Sequence, residues 1–169
     1  MSHAIRLVKE TDLAEIFEIY DREVLERTAT FETVPKTAAE RDEWFRVHGA
    51  DRYPALVAVE PLSDGGEAVV GWACVSPWSP RQAYARSAEN SVYVRDDRMG
   101  RGIGRALMVA LVTEARRVGI RVLIARITEG NPASLALHRK LEFQPIGTMR
   151  EVGEKFGRIL DVELLDLHI

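Results

Sequence analysis

The stretch ENSVYVRDDRMGRGIGRALMVAL, residues 89–111, joins a strand pattern to a helix pattern through three glycines at alternate positions. Residues 89–95 are rich in β-branched and aromatic side chains, which favours a strand. After the glycines, Leu107 and Leu111 begin an apolar face with helical spacing. A strand that runs through glycines into a helix leaves backbone N–H groups at the positive end of the helix dipole, where phosphate often binds. From spacing alone, phosphate binding and a purely structural connection remain equally open.

The same residues exclude two familiar phosphate-binding loops. A P-loop requires Gly-Lys followed by Ser or Thr, whereas Gly104 is followed by Arg105 and Ala106. The dinucleotide-binding fingerprint needs G-x-G-x-x-G and an acidic residue about 20 positions later, and that spacing is absent. Positive charge is nevertheless concentrated around the glycines, because four arginines lie there: Arg95, Arg98, Arg101 and Arg105.

Outward from the glycine segment, strand and helix patterns follow in the order β α α β β β α β α β β. Residues 4–9 alternate like a strand, and Thr37 with Glu40 forms a capping box for a short helix that ends at Gly49. Asn131, followed by proline, begins the last helix. This order predicts an α/β (α+β mixed) sheet with helices on its faces, in a single domain over residues 1–169.

Composition limits the classes of function. The chain has 169 residues, 46% of them hydrophobic, and a net charge of −3, which is typical of an ordinary globular protein and argues against non-specific nucleic-acid binding. The sequence contains no run of about 18 apolar residues, so it predicts no membrane span. The N-terminus lacks a secretory pattern and Cys74 is the only cysteine, so we expect a cytoplasmic location without an internal disulfide.

Gly102-Ile103-Gly104, preceded by VYVRDDR, resembles the Q/R-x-x-G-x-G/A signature of the GNAT acyl-CoA N-acetyltransferases. A narrower resemblance, to the phosphinothricin and methionine sulfoximine N-acetyltransferases, covers nearly the whole chain. Its motifs are P-W-x-x-R-x-A-Y, E-x-S-V-Y-V, the Gly-x-Gly loop and a late K-x-G segment, and together they are far more specific than any one of them. The segments that carry the resemblance are residues 29–35, 76–94, 131–158 and 161–167, with the Gly-x-Gly loop at residues 102–104 between the second and the third.

The resemblance implies a GNAT-like central mixed, mainly antiparallel β-sheet flanked by helices. It also implies direct transfer of an acetyl group from acetyl-CoA, without a metal, to the amino group of a small amino-acid-like substrate of the methionine sulfoximine or phosphinothricin type. Backbone amides of the glycine loop would hold the pyrophosphate, and a strand N–H near Val94 would bind the oxyanion. The implied cofactor-binding residues are Val92, Tyr93, Val94, Met99, Gly100, Arg101, Gly102, Ile103, Gly104, Arg105, Asn131 and Ser134.

Two residues depart from the family pattern. Met99 occupies the usual Gln or Arg position of the signature, and Arg98 or Arg101 is expected to supply the missing charge. Glu142 replaces the glycine of a helix-ending L-G-F, where a left-handed backbone conformation is expected to strain a residue with a Cβ.

Glu89 and His138 are the catalytic residues that the resemblance implies. Amine acetylation needs a neutral amine, a stabilised oxyanion and a proton for the thiolate, and Glu89 is the candidate base. His138 shares a helical face with Asn131 and Ser134, and it is assigned as an acid near the thiolate or a base on the amine side, which the sequence does not decide. From residue type alone, a solvated carboxylate and a buried structural histidine are the commoner situations.

The predicted substrate-binding residues are Phe31, Glu32, Trp78, Arg81, Tyr84 and Lys155, because arginines can bind an anionic group and aromatic rings can wall a side chain. Lys155 is expected to reach the pocket of a partner subunit in a homodimer. Cys74 is not expected to carry an acyl group. The alternatives are an acetyltransferase for a protein N-terminus or a polyamine, or a non-catalytic CoA-binding sensor.

Overall fold

The computed structural model describes residues 3–48 and 52–169. The elements follow the predicted order. The strands are β1 Ala4–Leu7, β2 Ala55–Pro61, β3 Glu67–Pro77, β4 Ser87–Val94, β5 Val122–Thr128, β6 Gln144–Lys155 and β7 Arg158–His168. The helices are α1 Leu13–Glu26, α2 Ala38–His48, α3 Ile103–Arg117 and α4 Pro132–Lys140. Within the described ranges, no helix is both long enough and apolar enough to cross a membrane.

The seven strands form one sheet in the order β1-β2-β3-β4-β5-β7-β6. Only β4 and β5 pair in parallel, and the other neighbouring strands are antiparallel. The parallel step follows from the connection, because α3 returns the chain from the end of β4 to the start of β5. The expected mixed, mainly antiparallel sheet flanked by helices is confirmed.

The sheet separates two apolar clusters. One cluster lies on the face covered by α3 and α4, here called the α3 face, and contains Ala88, Leu107, Leu123 and Phe143. The other lies on the face covered by α1 and α2, here called the α1 face, and contains Phe17 and Trp72 among other residues. Side chains of a strand alternate between faces, so neighbouring residues of β4 serve different clusters.

The pairing of β4 with β5 ends halfway along both strands. The last pair is Glu89 with Ile124, although β4 continues to Val94 and β5 to Thr128. The strands therefore part in the middle of the sheet, and a cleft of about 800 Å³ opens there and is lined by residues of both faces.

Backbone groups of β4 face this opening. Arg95 donates its N–H to the Val70 carbonyl of β3 at 2.9 Å, so the odd-numbered residues of β4 direct their backbone groups toward β3. By alternation, the groups of Val92 and Val94 point the other way, toward β5, beyond the end of the pairing.

The predicted helix starts are confirmed by their hydrogen bonds. The Glu40 carboxylate accepts the Thr37 N–H at 2.7 Å, which closes the capping box of α2, and Asn131 Oδ1 accepts the Ser134 N–H at 3.1 Å. The predicted stop at Gly49 lies outside the described residues. The first strand ends at Leu7 and not at residue 9, because Lys9 donates its N–H to the Asp12 carboxylate and the chain turns there.

Glu142 adopts the left-handed conformation expected after α4, with φ of 68°. The Phe143 N–H donates to the His138 carbonyl at 3.1 Å, and the Glu142 N–H donates to the Arg139 carbonyl at 3.0 Å. These two bonds form a Schellman motif, which normally has glycine at this position. Glu142 therefore forms the same turn as the glycine of the family pattern, although its Cβ makes the left-handed conformation less favourable.

Candidate active site

The glycine loop presents unshielded backbone at the start of α3. Gly100 and Gly102 have φ of 75° and 79°, and a Cβ placed on either would meet no atom within 4 Å. The first intrahelical bond runs from the Ala106 N–H to the Gly102 carbonyl at 3.0 Å. The N–H groups of Ile103, Gly104 and Arg105 therefore have no intrahelical acceptor and point out at the positive end of the helix.

Two of the four nearby arginines are held in ion pairs. Arg98 contacts the buried Glu60 at 2.8 Å, and Arg95 contacts Asp97 at 2.7 Å. Arg101 and Arg105 are exposed and form no ion pair with any residue in the described ranges. Of the two charges expected to compensate for Met99, Arg98 is thus already engaged, and Arg101 is the one available to an anion.

Glu89 lies at the point where β4 and β5 part, and Arg126 of β5 clamps it. The guanidinium donates through Nε to Oε1 at 2.7 Å and through Nη2 to Oε2 at 2.6 Å. The hydrogen bonds with Glu89 raise the pKa of Arg126, so the arginine stays charged. The guanidinium carbon also lies 5.9 Å from the centre of the Trp78 ring. Both charges are on the α1 face, because Glu89 alternates with the α3-face residue Ala88.

His138 is buried on the α3 face, with 2% of its surface exposed. Its Nδ1 lies 2.8 Å from the Ser134 carbonyl oxygen, and its Nε2 lies 2.8 Å from Asn90 Nδ2. A carbonyl oxygen can only accept, so Nδ1 carries the proton and Nε2 accepts from Asn90. Burial lowers the pKa of His138, which favours this neutral form.

The two candidate catalytic residues therefore lie on opposite faces of the sheet. Glu89 is directed to the α1 face, and the next residue, Asn90, is directed to the α3 face, where it contacts His138. Glu89, Asn90 and His138 all line the cleft, together with Asn131 and Ser134. The opening between β4 and β5 connects the two environments.

The predicted substrate residues are only partly brought together. Phe31 and Glu32 line the cleft on the α1 face, and Trp78 lies beside it against Arg126. The Phe31 ring packs on Gly153, where a Cβ would overlap the ring. Arg81 and Tyr84, in contrast, are exposed around a short 3₁₀ turn before β4 and are not among the cleft-lining residues.

Lys155 is buried within its own chain. Its ammonium group donates to the carbonyl oxygens of Thr30 at 2.8 Å and Glu23 at 3.2 Å. These bonds tie the end of α1 and the following loop to the β6–β7 hairpin, so Lys155 supports the loop that carries Phe31. A direct contact of Lys155 with substrate stays a prediction.

Two residues of the site were missed by sequence reasoning. Asn90 is polar at a strand position whose period-two neighbours, Ala88 and Val92, pack in the α3-face cluster, and a polar residue in such a place needs a partner. Arg126 is a charge inside the otherwise apolar strand VLIARIT. Both signals were present in the sequence, but neither names its partner, because Asn90 and His138 are 48 residues apart and Glu89 and Arg126 are 37 apart.

Two further features bear on the chemistry. Cys74 lines the cleft, but burial raises the pKa of its thiol to about 12, so it stays protonated and is a poor nucleophile. Among the residues described, no group of three or more His, Cys, Asp or Glu side chains is arranged to hold a metal ion.

Known proteins that are similar in sequence and in structure identify the family of the chain. The sequence profile of the acetyltransferase (GNAT) family matches residues 13–143. The chain is 41% identical, over all of its length and 96% of the relative, to an L-methionine sulfoximine/L-methionine sulfone acetyltransferase of Pseudomonas aeruginosa.

Two solved structures are similar over nearly the whole chain. One is a GNAT superfamily phosphinothricin acetyltransferase from Sinorhizobium meliloti in complex with AcCoA, with 37% identity, a TM-score of 0.92, and coverage of 100% of this chain and 89% of that one. The other is a ribosomal-protein-alanine N-acetyltransferase from Brucella melitensis, with 37% identity, a TM-score of 0.90, and coverage of 98% and 99%. The matched profile, the full-length identities and the shared fold together show that the chain belongs to the acetyltransferase (GNAT) family.

Proposed function

We propose that the chain is an acetyl-CoA-dependent N-acetyltransferase that acts on the amino group of small amino acids of the methionine sulfoximine and phosphinothricin type. The observation that carries the proposal is the parting of β4 and β5 after Glu89 and Ile124. This opening gives a thioester held on the α3 face access to an amine held on the α1 face. Direct transfer then needs no acyl-enzyme, consistent with the protonated Cys74 thiol.

On the α3 face, the cofactor would bind mainly to the main chain. The free N–H groups at the start of α3 suit a pyrophosphate, and the open space at Gly102 leaves room for it. The backbone groups of Val92 and Val94 face the opening and suit the pantetheine amides and the developing oxyanion. Asn131, Ser134 and His138 line the cleft beside Val92 and would contact the part of the cofactor that enters it.

On the α1 face, Glu89 would take the proton that leaves the amine, directly or through a water molecule. The placement of the two candidates on opposite faces favours different roles. We propose that Glu89 is the base on the amine side and that His138 lies on the thiolate side. His138 Nε2 accepts the Asn90 N–H and carries no proton in this arrangement. Before His138 can donate a proton from Nε2, this hydrogen bond must break and Nε2 must be protonated.

Thiol release from acetyl-CoA, with mass confirmation of the product, tests the proposal. The acceptors are L-methionine sulfoximine, phosphinothricin, ordinary amino acids, spermidine and an alanine-starting peptide. We expect turnover with the first two. Release with the peptide alone would favour acetylation of a protein N-terminus, and the Brucella melitensis neighbour is named a ribosomal-protein-alanine N-acetyltransferase. Acetyl-CoA binding without release for any acceptor would favour the sensor.

We further propose a homodimer, a single 1–169 domain and a cytoplasmic location. Exposed apolar side chains on the β6–β7 hairpin, such as Ile146, Phe156 and Ile159, support a subunit interface. Sedimentation at micromolar concentration tests the dimer, and a monomer there would contradict it.

The proposed domain and location have separate support. All seven strands belong to one sheet, which supports one domain. The single cysteine of the chain is buried and free, which is compatible with a reducing compartment.

A further inference from the structure

The pair formed by Glu89 and Arg126 is unusual in its position. Each comes from one of the two strands that part, and both side chains lie on the α1 face beside the opening. Backbone pairing stops at Glu89 and Ile124, so this ion pair bridges β4 and β5 where their backbones part. An internal ion pair at the entrance of a cleft therefore calls for a functional explanation.

Arg126 retains donors for a ligand. A guanidinium has five N–H groups, and two of them, on Nε and Nη2, donate to Glu89. The side chain is 51% exposed and lines the cleft, so the remaining donors are accessible. The guanidinium carbon lies over the Trp78 ring, 5.9 Å from its centre, which is within the range of a cation–π contact. The other lysine or arginine among the described residues that line this cleft, Lys36, is already 3.5 Å from Glu32.

An α-amino acid carries the same two charges side by side. Its ammonium group matches Glu89 and its carboxylate matches Arg126, for which a planar guanidinium is well suited. Binding then exchanges one internal ion pair for two intermolecular pairs, so neither charge is left buried without a partner. An acceptor without an α-carboxylate would have to leave Arg126 on Glu89, where it competes with the amine.

We propose that Arg126 is a specificity-determining residue that binds the α-carboxylate of the acceptor and, in doing so, releases Glu89 to receive the amino group. This inference rests on the proposed function, because it assumes an amino-acid acceptor. It assigns the α-carboxylate to Arg126 on β5 and leaves the oxygen-rich side-chain end of the acceptor to other residues.

The test compares L-methionine sulfoximine with its α-carboxamide as acceptors for wild type, Arg126→Gln, Arg126→Lys and Arg117→Gln. Arg117 is the matched control, since its side chain is also 51% exposed and also paired with a glutamate, on the distant helix α3. We expect Arg126→Gln to raise KM for the carboxylate acceptor by roughly ten- to a hundredfold, the usual range for a lost charged hydrogen bond. KM for the carboxamide should change less than about threefold, Arg126→Lys should be intermediate, and Arg117→Gln should match wild type.

Other outcomes overturn the inference in distinguishable ways. If Arg126→Gln lowers kcat equally for both acceptors and leaves the ratio of their KM values unchanged, Arg126 only positions Glu89. If wild type acetylates L-methionine sulfoximine and Arg126→Gln keeps its KM, this inference alone fails. If wild type acetylates neither acceptor, the proposed function fails, and the inference fails with it.

Discussion

The two faces of the sheet at the β4–β5 opening are built differently. The α3 face offers main chain, namely the free N–H groups of the glycine loop and the backbone of Val92 and Val94, beside the neutral, buried His138. The α1 face offers charged side chains, Glu89 and Arg126, with aromatic rings around them. Binding by main chain tolerates side-chain changes, whereas binding by side chains depends on them. The departure at Met99 belongs to the glycine loop, which binds by main chain, whereas the proposed determinants of acceptor choice, Glu89 and Arg126, are side chains of the α1 face.

The largest expected effect comes from Glu89→Gln. This change removes the proposed base from the α1 face but leaves the α3 face intact, so kcat should fall by roughly ten- to a thousandfold. The dissociation constant of acetyl-CoA, measured by calorimetry, should stay within about twofold of wild type. An unchanged kcat would mean that Glu89 is not the base and only holds Arg126 in place.

Gly102→Val should instead weaken acetyl-CoA binding, the property that Glu89→Gln leaves unchanged. Its φ of 79° strains any residue with a Cβ, and a branched side chain would stand where phosphate is proposed to bind, so acetyl-CoA affinity should fall by roughly tenfold or more. Gly65→Val is the matched control, because Gly65 has φ of 86° and equally open space but lies in the β2–β3 turn. Both variants should lose similar stability, and only Gly102→Val should lose affinity. Equal affinities would contradict the pyrophosphate assignment.

The buried histidine of the α3 face should make stability depend on pH. The pKa of His138 is lowered by burial from its ordinary value of 6.5, so its contribution is complete above that value and is lost as the pH falls below it, where the unfolded chain takes up the proton. His48 is affected in the same direction.

His138→Gln should therefore flatten the fall in melting temperature between about pH 7.5 and 5.5. The slope that remains is expected from His48. Thermal melts across this range measure it, and an unchanged slope would mean that folding does not lower the pKa of His138.

The smallest expected effect is at Glu142, outside both faces. Glu142→Gly should relieve the left-handed strain and raise the free energy of unfolding by about 0.5–1 kcal/mol. Lys140→Gly, in the last turn of α4, should instead lower it by a similar amount. Activity should not change with Glu142→Gly, and denaturant titration measures the stability. A loss of stability would mean that the Glu142 side chain makes a contribution larger than the strain.

The sequence predicted the elements and several of their ends, because caps such as Thr37–Glu40 and Asn131 are local. It named Glu89 and His138 as candidate catalytic residues only through resemblance to a family, and their roles stay a prediction. It did not predict Arg126 or Asn90, nor that Glu89 and His138 occupy opposite faces, because these facts depend on which strands pair and where pairing stops. The intrachain bonds of Lys155 were missed for the same reason, since Glu23 and Thr30 are more than a hundred residues away in the chain.

In the proposed reaction, the acetyl group and the amine meet through the opening while both ligands are bound. Initial rates measured over a grid of acetyl-CoA and L-methionine sulfoximine concentrations distinguish this direct transfer from a route through an acyl-enzyme. Direct transfer in a ternary complex predicts double-reciprocal lines that intersect, and Cys74→Ala should keep them so. Parallel lines, with acetylated protein detected by mass spectrometry in the absence of acceptor, would instead show that the enzyme itself is acetylated and would rule out direct transfer.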